Sequence, residues 1–263
     1  MKPFLKWAGG KRQLLSELLK HVPAEFEIYH EPFVGGGALF WEVGAKGKNA
    51  VLGDSNERLM RTYRAVRDDV ERVITSLENR PHTEDFFYWV REQEPDKLND
   101  AELSAWFIYL NKTCFNGLYR VNKTGGFNVP FGAFVNPNIC DKETLRACSN
   151  ALQGVDLHVG DFEHTIRHAG RGDFVYFDPP YIPVAATSFT AYTGSGFGPE
   201  DHERLAECAR QLKQRGAYVL LSNSSAPIVR ELYHDFEIIE VGARRAINSK
   251  ASKRGAVKEV IIK

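Results

Sequence analysis

Apolar residues along this chain follow two different rhythms. The N-terminal stretch reads as α/β: Leu14 to His21 carries apolar positions at helical spacing, Glu27 to Phe33 reads as a short strand ended by Gly35-Gly36-Gly37, and Ala38 to Val43 reads as the start of a helix. Asn49 to Gly53 is a second short apolar strand, closed by Asp54. From about Glu57 to Ala151 strand signals are scarce, and Leu59–Leu77, Asp85–Glu92 and Asp100–Leu110 carry helical periodicity instead. Strand character returns at Leu157–Val159 and Phe174–Phe177. Glu200 to Arg215 reads as a helix with an acidic first turn and a basic end, as the helix dipole favours. Tyr218 to Ser222 is a short buried strand, and the alternating runs Phe236–Val241 and Val257–Ile262 read as a terminal β-hairpin with a long basic loop. The pattern predicts an α/β sheet with a mostly helical insertion after its second strand. Residues 1–56 and 152–263 form one domain in this reading, and residues 57–151 the other.

Composition narrows the class only a little. The chain has 263 residues, enough for one large domain or a domain carrying a sizeable insertion. Its 34 basic and 34 acidic residues cancel, so a nucleic-acid surface has to come from local clustering rather than bulk charge. None of Cys114, Cys140, Cys148 and Cys208 sits in a C-x-x-C pair or at finger-like spacing from a histidine, which argues against a zinc site. They read as reduced thiols of a cytoplasmic protein. The segment Met1–Trp7 lacks the apolar core of a signal peptide, and no apolar run approaches membrane-spanning length. A monomer without a membrane partner is expected.

Two turns carry candidate chemistry. The segment His30-Glu31-Pro32-Phe33-Val34-Gly35-Gly36-Gly37-Ala38 lies between a strand and a helix, where glycines permit a sharp turn and close approach of a ligand. Asp54 ends the next strand, about 20 residues on, where a carboxylate can accept from both ribose hydroxyls of a nucleoside. The pattern is neither the dinucleotide G-x-G-x-x-G nor a phosphate loop with its Gly-Lys-Ser/Thr. A nucleoside without a long phosphate chain fits better, and S-adenosylmethionine is one. Near the start, Trp7-Ala8-Gly9-Gly10-Lys11 offers a cation for a ligand carboxylate at Lys11 and an aromatic face for a sulfonium at Trp7. The same residues also suit plain glycine turns with a capping aspartate and a core tryptophan.

The second turn is Asp178-Pro179-Pro180-Tyr181, directly after the apolar strand Phe174–Phe177. Ligands of open α/β sheets gather at the carboxyl ends of strands. The prolines remove backbone donors and fix the chain direction. The Asp178 carboxylate and the Pro179 carbonyl make two acceptors, and Tyr181 supplies a stacking face. Such a site suits a planar ring bearing an amino group. Accepting both hydrogens of adenine's exocyclic amine localises its delocalised lone pair as the nitrogen attacks a methyl group, an interaction that strengthens as charge develops.

In this order the motifs resemble the Dam-type DNA adenine methyltransferases, amino-methyltransferases of the alpha group. The matching segments are Phe4-Leu5-Lys6-Trp7-Ala8-Gly9-Gly10-Lys11, Glu31-Pro32-Phe33-Val34-Gly35-Gly36-Gly37, Asp54-Ser55-Asn56 and Asp178-Pro179-Pro180-Tyr181. Asn116-Gly117-Leu118-Tyr119-Arg120-Val121-Asn122, continuing to Phe127-Asn128-Val129-Pro130-Phe131-Gly132, is similar to that family's recognition region. The resemblance runs through nearly the whole chain. It implies a Rossmann-like S-adenosylmethionine-dependent methyltransferase sheet with a C-terminal β-hairpin, plus an inserted, mostly helical DNA-recognition domain. It implies cofactor contacts at Trp7, Lys11, Phe33, Gly35, Gly37, Asp54, Asp161, Phe162 and Asp178, with catalysis at Asp178, Pro179, Pro180 and Tyr181. Base reading would fall to Lys6 and Arg120, since arginine suits bidentate contact with guanine. Phe115, Asn116 and Pro130 would also contact DNA, and Phe189-Thr190-Ala191-Tyr192 resembles the loop after the catalytic turn. The family commonly carries Gln where this chain has His202.

The expected reaction is methylation of adenine N6 in duplex DNA, with GATC as the suggested target. The adenine flips out of the helix, and no metal or covalent enzyme intermediate is needed. The chain lacks the Pro-Cys motif of a carbon-5 cytosine enzyme. The basic segment with Arg244, Arg245, Lys250, Lys253, Arg254 and Lys258 is a candidate DNA patch, as are Arg58, Arg61 and Arg64 at helical spacing. Three other readings stand beside this one: a methyltransferase acting on the cytosine amine, one acting on a small molecule or protein, and a DNA-binding module without catalysis.

Overall fold

The computed structural model describes residues 1–7, 12–44, 49–184, 196–244 and 256–263. Its elements in chain order are α1 (Arg12–Leu18), β1 (Ile28–Glu31), β2 (Asn49–Asp54), α2 (Glu57–Asp68), α3 (Val70–Leu77), α4 (Glu84–Arg91), α5 (Asp100–Thr113), α6 (Lys142–Leu152), β3 (Asp156–Val159), α7 (Phe162–Ile166), β4 (Phe174–Phe177), α8 (Pro199–Gln214), β5 (Tyr218–Ser224), α9 (Pro227–Leu232), β6 (Ile238–Arg244) and β7 (Ala256–Ile262). The fold is mixed α/β, with a seven-stranded sheet in the order β3-β2-β1-β4-β5-β7-β6. Strands β1, β2, β4 and β5 pair in parallel, while β7 runs antiparallel to β5 and β6. The terminal hairpin is thus present as β6 and β7. Among the described residues no helix is long and apolar enough to cross a membrane.

The chain divides into two compact units, Met1–Gly10, Gly35–Gly47 and Asp54–Gly160 in the first, Lys11–Val34, Lys48–Gly53 and Asp161–Lys263 in the second. The helical stretch 57–151 lies wholly in the first. There α5 is buried from Leu103 to Thr113, the mark of a central helix packed on several sides. Its start is a capping box, in which Asn99 accepts from Glu102 N and the Glu102 side chain accepts from Asn99 N. The continuous periodicity of Leu59–Leu77 is broken at Asp69. This residue leaves helical geometry at φ −149° and caps α3 by accepting from Arg72 N, so one predicted helix becomes two.

The helix expected to begin at Ala38 is not formed. Residues 38–44 make successive turns, with Trp41 N donating to Gly37 O and Val43 N to Leu39 O. The run Phe40-Trp41 and Val43 pays side-chain entropy in a helix, and Gly44 follows at once.

In the second unit β4 is buried on all four residues, as a strand covered on both faces must be. Tyr29 is level with Phe174 and Phe177 with Leu221, so the carboxyl ends of β1, β4 and β5 lie side by side. Val175, Phe177, Val219 and Leu221 form a core with Leu205, Ala209 and Leu212 of α8. That core holds the strand ends, where chemistry in such sheets is placed.

Candidate active site

The glycine loop belongs to the first unit. Asp54 Oδ2 accepts from Gly35 N at 3.0 Å, and Oδ1 accepts from Asn56 N at 2.9 Å. Burial pushes the Asp54 carboxyl above its usual range, and these two N–H donors pull against that push. Each oxygen retains lone-pair capacity for a hydroxyl. Gly35 and Gly37 have φ of +45° and +66°, the left-handed region that disfavours side chains.

The space around these glycines is filled by the protein itself. A Cβ on Gly35 would lie 2.5 Å from Trp7 Nε1, one on Gly36 2.8 Å from Trp7 Cβ, and one on Gly37 2.9 Å from Trp41 Nε1. Trp41 Nε1 donates to Gly36 O at 2.9 Å, and Tyr63 OH donates to Gly35 O at 3.1 Å. Trp7 in turn stacks on Phe107, with centroids 6.5 Å apart and planes 9° apart, and on Tyr119 at 6.1 Å and 13°. Its position beside the loop is set by this aromatic packing, as the core-tryptophan reading of the sequence allows. Lys11 lies outside the described residues.

The Asp178-Pro179-Pro180-Tyr181 turn belongs to the second unit. Ser222 Oγ, on β5, donates to Asp178 Oδ1 at 2.8 Å, and Tyr176 OH lies 3.0 Å from the same Oγ. Past the prolines, Ile182 N donates to Asn223 Oδ1 at 3.1 Å, and Tyr181 OH donates to Glu259 Oε2 at 3.4 Å. At the end of β1, Tyr29 OH donates to the buried Glu31 at 2.8 Å. Burial pushes the phenols of Tyr29, Tyr176 and Tyr181 well up, and the charges of Glu31, Asp178 and Glu259 add to the push. The three remain neutral donors.

Phe33 stacks on Phe162 at 5.5 Å and meets Phe197 edge-on at 5.5 Å. Asp161 caps α7 by accepting from Glu163 N at 2.9 Å, and it pairs with Arg204 at 2.6 Å. The Arg204 guanidinium lies 4.9 Å from the Phe162 ring centroid. The structure therefore brings Phe33, Asp161 and Phe162 together, with Arg204 as a neighbour the sequence did not announce. No motif in the sequence singles out Ser222 or Asn223 as a site residue. Their signal was a polar pair continuing an apolar strand, since buried polar residues in a strand need partners.

Phe115, Asn116, Arg120 and Pro130 share one loop of the first unit. Phe115 is exposed and its N donates to Pro130 O at 2.9 Å; Asn116 is left-handed at φ 56°. Arg120 Nε donates to Asn128 Oδ1 at 2.6 Å, while Asn128 N donates to Arg120 O at 3.0 Å. Lys6 places Nζ 3.7 Å from the Phe134 ring centroid, and burial lowers its pKa. Arg244 ends β6, and Arg245, Lys250, Lys253 and Arg254 lie outside the described residues.

The helical arginine stripe is not a free basic face. Arg58 pairs with Asp96 at 2.7 Å and donates to Gly125 O, Arg61 pairs with Asp100 at 2.6 Å, and Arg64 donates to Leu157 O at 3.1 Å. These cations hold the first unit together, with acids drawn from a distant stretch of chain. No cluster of His, Cys, Asp or Glu suited to a metal occurs among the described residues.

Comparison with known proteins bears on what the turn and the loop do. Residues 7–247 match the model of the D12 class N6 adenine-specific DNA methyltransferases. The chain is 43% identical over 271 residues to a type II methyltransferase of Lactococcus lactis subsp. cremoris, covering 100% of this chain and 95% of that protein. It is 43% identical over 275 residues to a type II methyltransferase of Methanocaldococcus jannaschii, covering 97% and 95%. A DNA adenine methylase of Escherichia coli is 33% identical over 265 residues, covering 99% and 94%. The match of the family model over most of the chain, with relatives aligned end to end, places the protein: it belongs to the D12 class of N6 adenine-specific DNA methyltransferases.

Proposed function

We propose that the methyl donor is S-adenosylmethionine and that Asp178 and Pro179 receive the amine of an adenine flipped out of duplex DNA. The observation that carries this reading is the Asp178 carboxylate, held at the carboxyl end of β4 by Ser222 at 2.8 Å. When bound, S-adenosylmethionine supplies an electrophilic methyl carbon. The first unit's residues fit a nucleoside of this kind: Asp54 has lone pairs for ribose hydroxyls, and the left-handed Gly35 and Gly37 present no side chain. Lys11, Trp7, Phe33, Asp161 and Phe162 complete the proposed cofactor set. Asp161 would receive the cofactor's adenine using lone pairs beyond those engaged by Glu163 N and Arg204.

Extruding the base costs a few kcal/mol. Stacking on Tyr181 and hydrogen bonds from the amine to the Asp178 carboxylate and the Pro179 carbonyl offset that cost. The same two acceptors raise the nucleophilicity of N6 as it attacks, and they interact more strongly as positive charge develops on nitrogen. The cytosine amine offers the same pair of hydrogens, but the family favours adenine.

Residues 57–151 serve in this proposal as the DNA-recognition part, with 1–56 and 152–263 as the catalytic part. Arg120 reads a guanine, and Lys6, Phe115, Asn116 and Pro130 flank the target. The basic stretch from Arg244 to Arg254 contacts phosphates. The protein acts as a cytoplasmic monomer on double-stranded DNA, with GATC as its site. Incubating plasmid with the protein and S-adenosylmethionine, then cutting with nucleases that respond oppositely to GATC methylation, tests the target. Protection confined to GATC supports the assignment, and methyl incorporation with unprotected GATC overturns it.

A further inference from the structure

Strand β5 meets the catalytic turn with two consecutive buried polar residues, Ser222 and Asn223. Parallel register sets Phe177 against Leu221, so Ser222 is level with Asp178. Ser222 Oγ donates to Asp178 Oδ1 at 2.8 Å. The hydroxyl's single proton goes to the carboxylate, so Tyr176 OH, 3.0 Å away and buried, must be the donor to Ser222. This gives a directed chain from Tyr176 through Ser222 to Asp178. On the far side of the prolines, Asn223 Oδ1 accepts from both Ile182 N at 3.1 Å and Ser224 N at 2.8 Å. Pro179 and Pro180 have no N–H of their own, so the turn cannot be tied down through those two residues' amides. The neighbouring strand ties it at both ends instead.

We propose that Ser222 and Asn223 are positioning residues for methyl transfer, Ser222 fixing the rotation of the Asp178 carboxylate and Asn223 fixing the backbone that sets the Pro179 carbonyl. The inference rests on the reading of Asp178 and Pro179 as the acceptors of the amine. Ser222 takes one of about four lone-pair sites on the carboxylate and leaves capacity for the substrate. Without it the carboxylate loses the restraint that Ser222 supplies, and two acceptors that must converge on one nitrogen are held less well together. A misplacement of this kind acts on the transfer step and leaves the affinity for substrate and donor unchanged.

The test is single-turnover transfer of tritiated methyl from S-adenosylmethionine to duplex DNA at saturating concentrations, with dissociation constants for both measured separately. Ser222→Ala removes one oxygen. It is expected to slow transfer by about 10- to 100-fold, as loss of a hydrogen bond to a charged group does, with both dissociation constants within about twofold. Ser222→Thr, which keeps the hydroxyl, restores most of the rate, a recovery that a purely structural role would not give. Tyr176→Phe removes the donor to Ser222 and slows transfer less than Ser222→Ala. An unchanged rate in Ser222→Ala, or a rate lost in Ser222→Thr as fully as in Ser222→Ala while its thermal midpoint is kept, overturns the proposal. Asp178→Ala, measured alongside, separates the two claims. If it is inactive while Ser222→Ala is fully active, the positioning claim alone fails. If it is active, the underlying reading of the turn fails.

Discussion

Replacing Gly35 by alanine tests why the loop is glycine at all. The residue sits at φ +45°, and an added Cβ would stand 2.5 Å from Trp7 Nε1 and 2.8 Å from Trp7 Cδ1. The left-handed conformation costs an alanine about 1–2 kcal/mol. The contact forces the indole to move, and the indole is stacked on both Phe107 and Tyr119. Each aromatic pair is worth about 0.5–1.5 kcal/mol, so partial loss of two brings the expected destabilisation to about 2–4 kcal/mol. Urea unfolding without cofactor or DNA, followed by circular dichroism, reads this directly. In a Trp7→Ala background the clash is gone, and Gly35→Ala should cost only about 1–2 kcal/mol, the backbone strain that remains. If Gly35→Ala leaves the unliganded protein's stability unchanged, or costs the same with and without Trp7, the packing explanation is wrong and the glycine serves ligand approach alone.

Two further perturbations follow from the charges. His202 is buried, and burial lowers its imidazole from 6.5 to about 4. The unfolded chain therefore takes up the proton first: stability is full above about pH 6.5 and is lost as pH falls toward 4. His202→Gln should flatten that part of the stability–pH curve by about 3 kcal/mol, and a curve identical to the parent's would rule the effect out. Arg58→Ala breaks ties to Asp96 and Gly125 and should lower the thermal midpoint, while the slope of log DNA affinity against log salt stays the same. A slope reduced by about 1 would return Arg58 to the DNA surface.

The order of strands and turns is more legible in the sequence than the packing between distant segments. The turn at Asp178 was legible because a four-residue apolar strand stops at two prolines, and the strand is buried as its composition requires. The hairpin of β6 and β7 was legible from alternation. What stayed hidden depends on distant partners. Arg58 and Arg61 looked like a basic stripe because Asp96 and Asp100, which neutralise them, lie 38 and 39 positions away. In the sequence Trp7 suits either a ligand face or a core position, and only the fold supplies its packing neighbours, Phe107 of α5 and Tyr119. Ser222 is local to an unremarkable strand, and only pairing of β5 with β4 puts it beside Asp178.

Digesting DNA to nucleosides after incubation with purified protein and S-adenosylmethionine, and weighing the products by mass spectrometry, bears most directly on the role of Asp178. The parent protein should yield N6-methyladenine, and Asp178→Ala should yield none while keeping the parent's thermal midpoint. N6-methyladenine made by Asp178→Ala at a comparable rate would contradict the account.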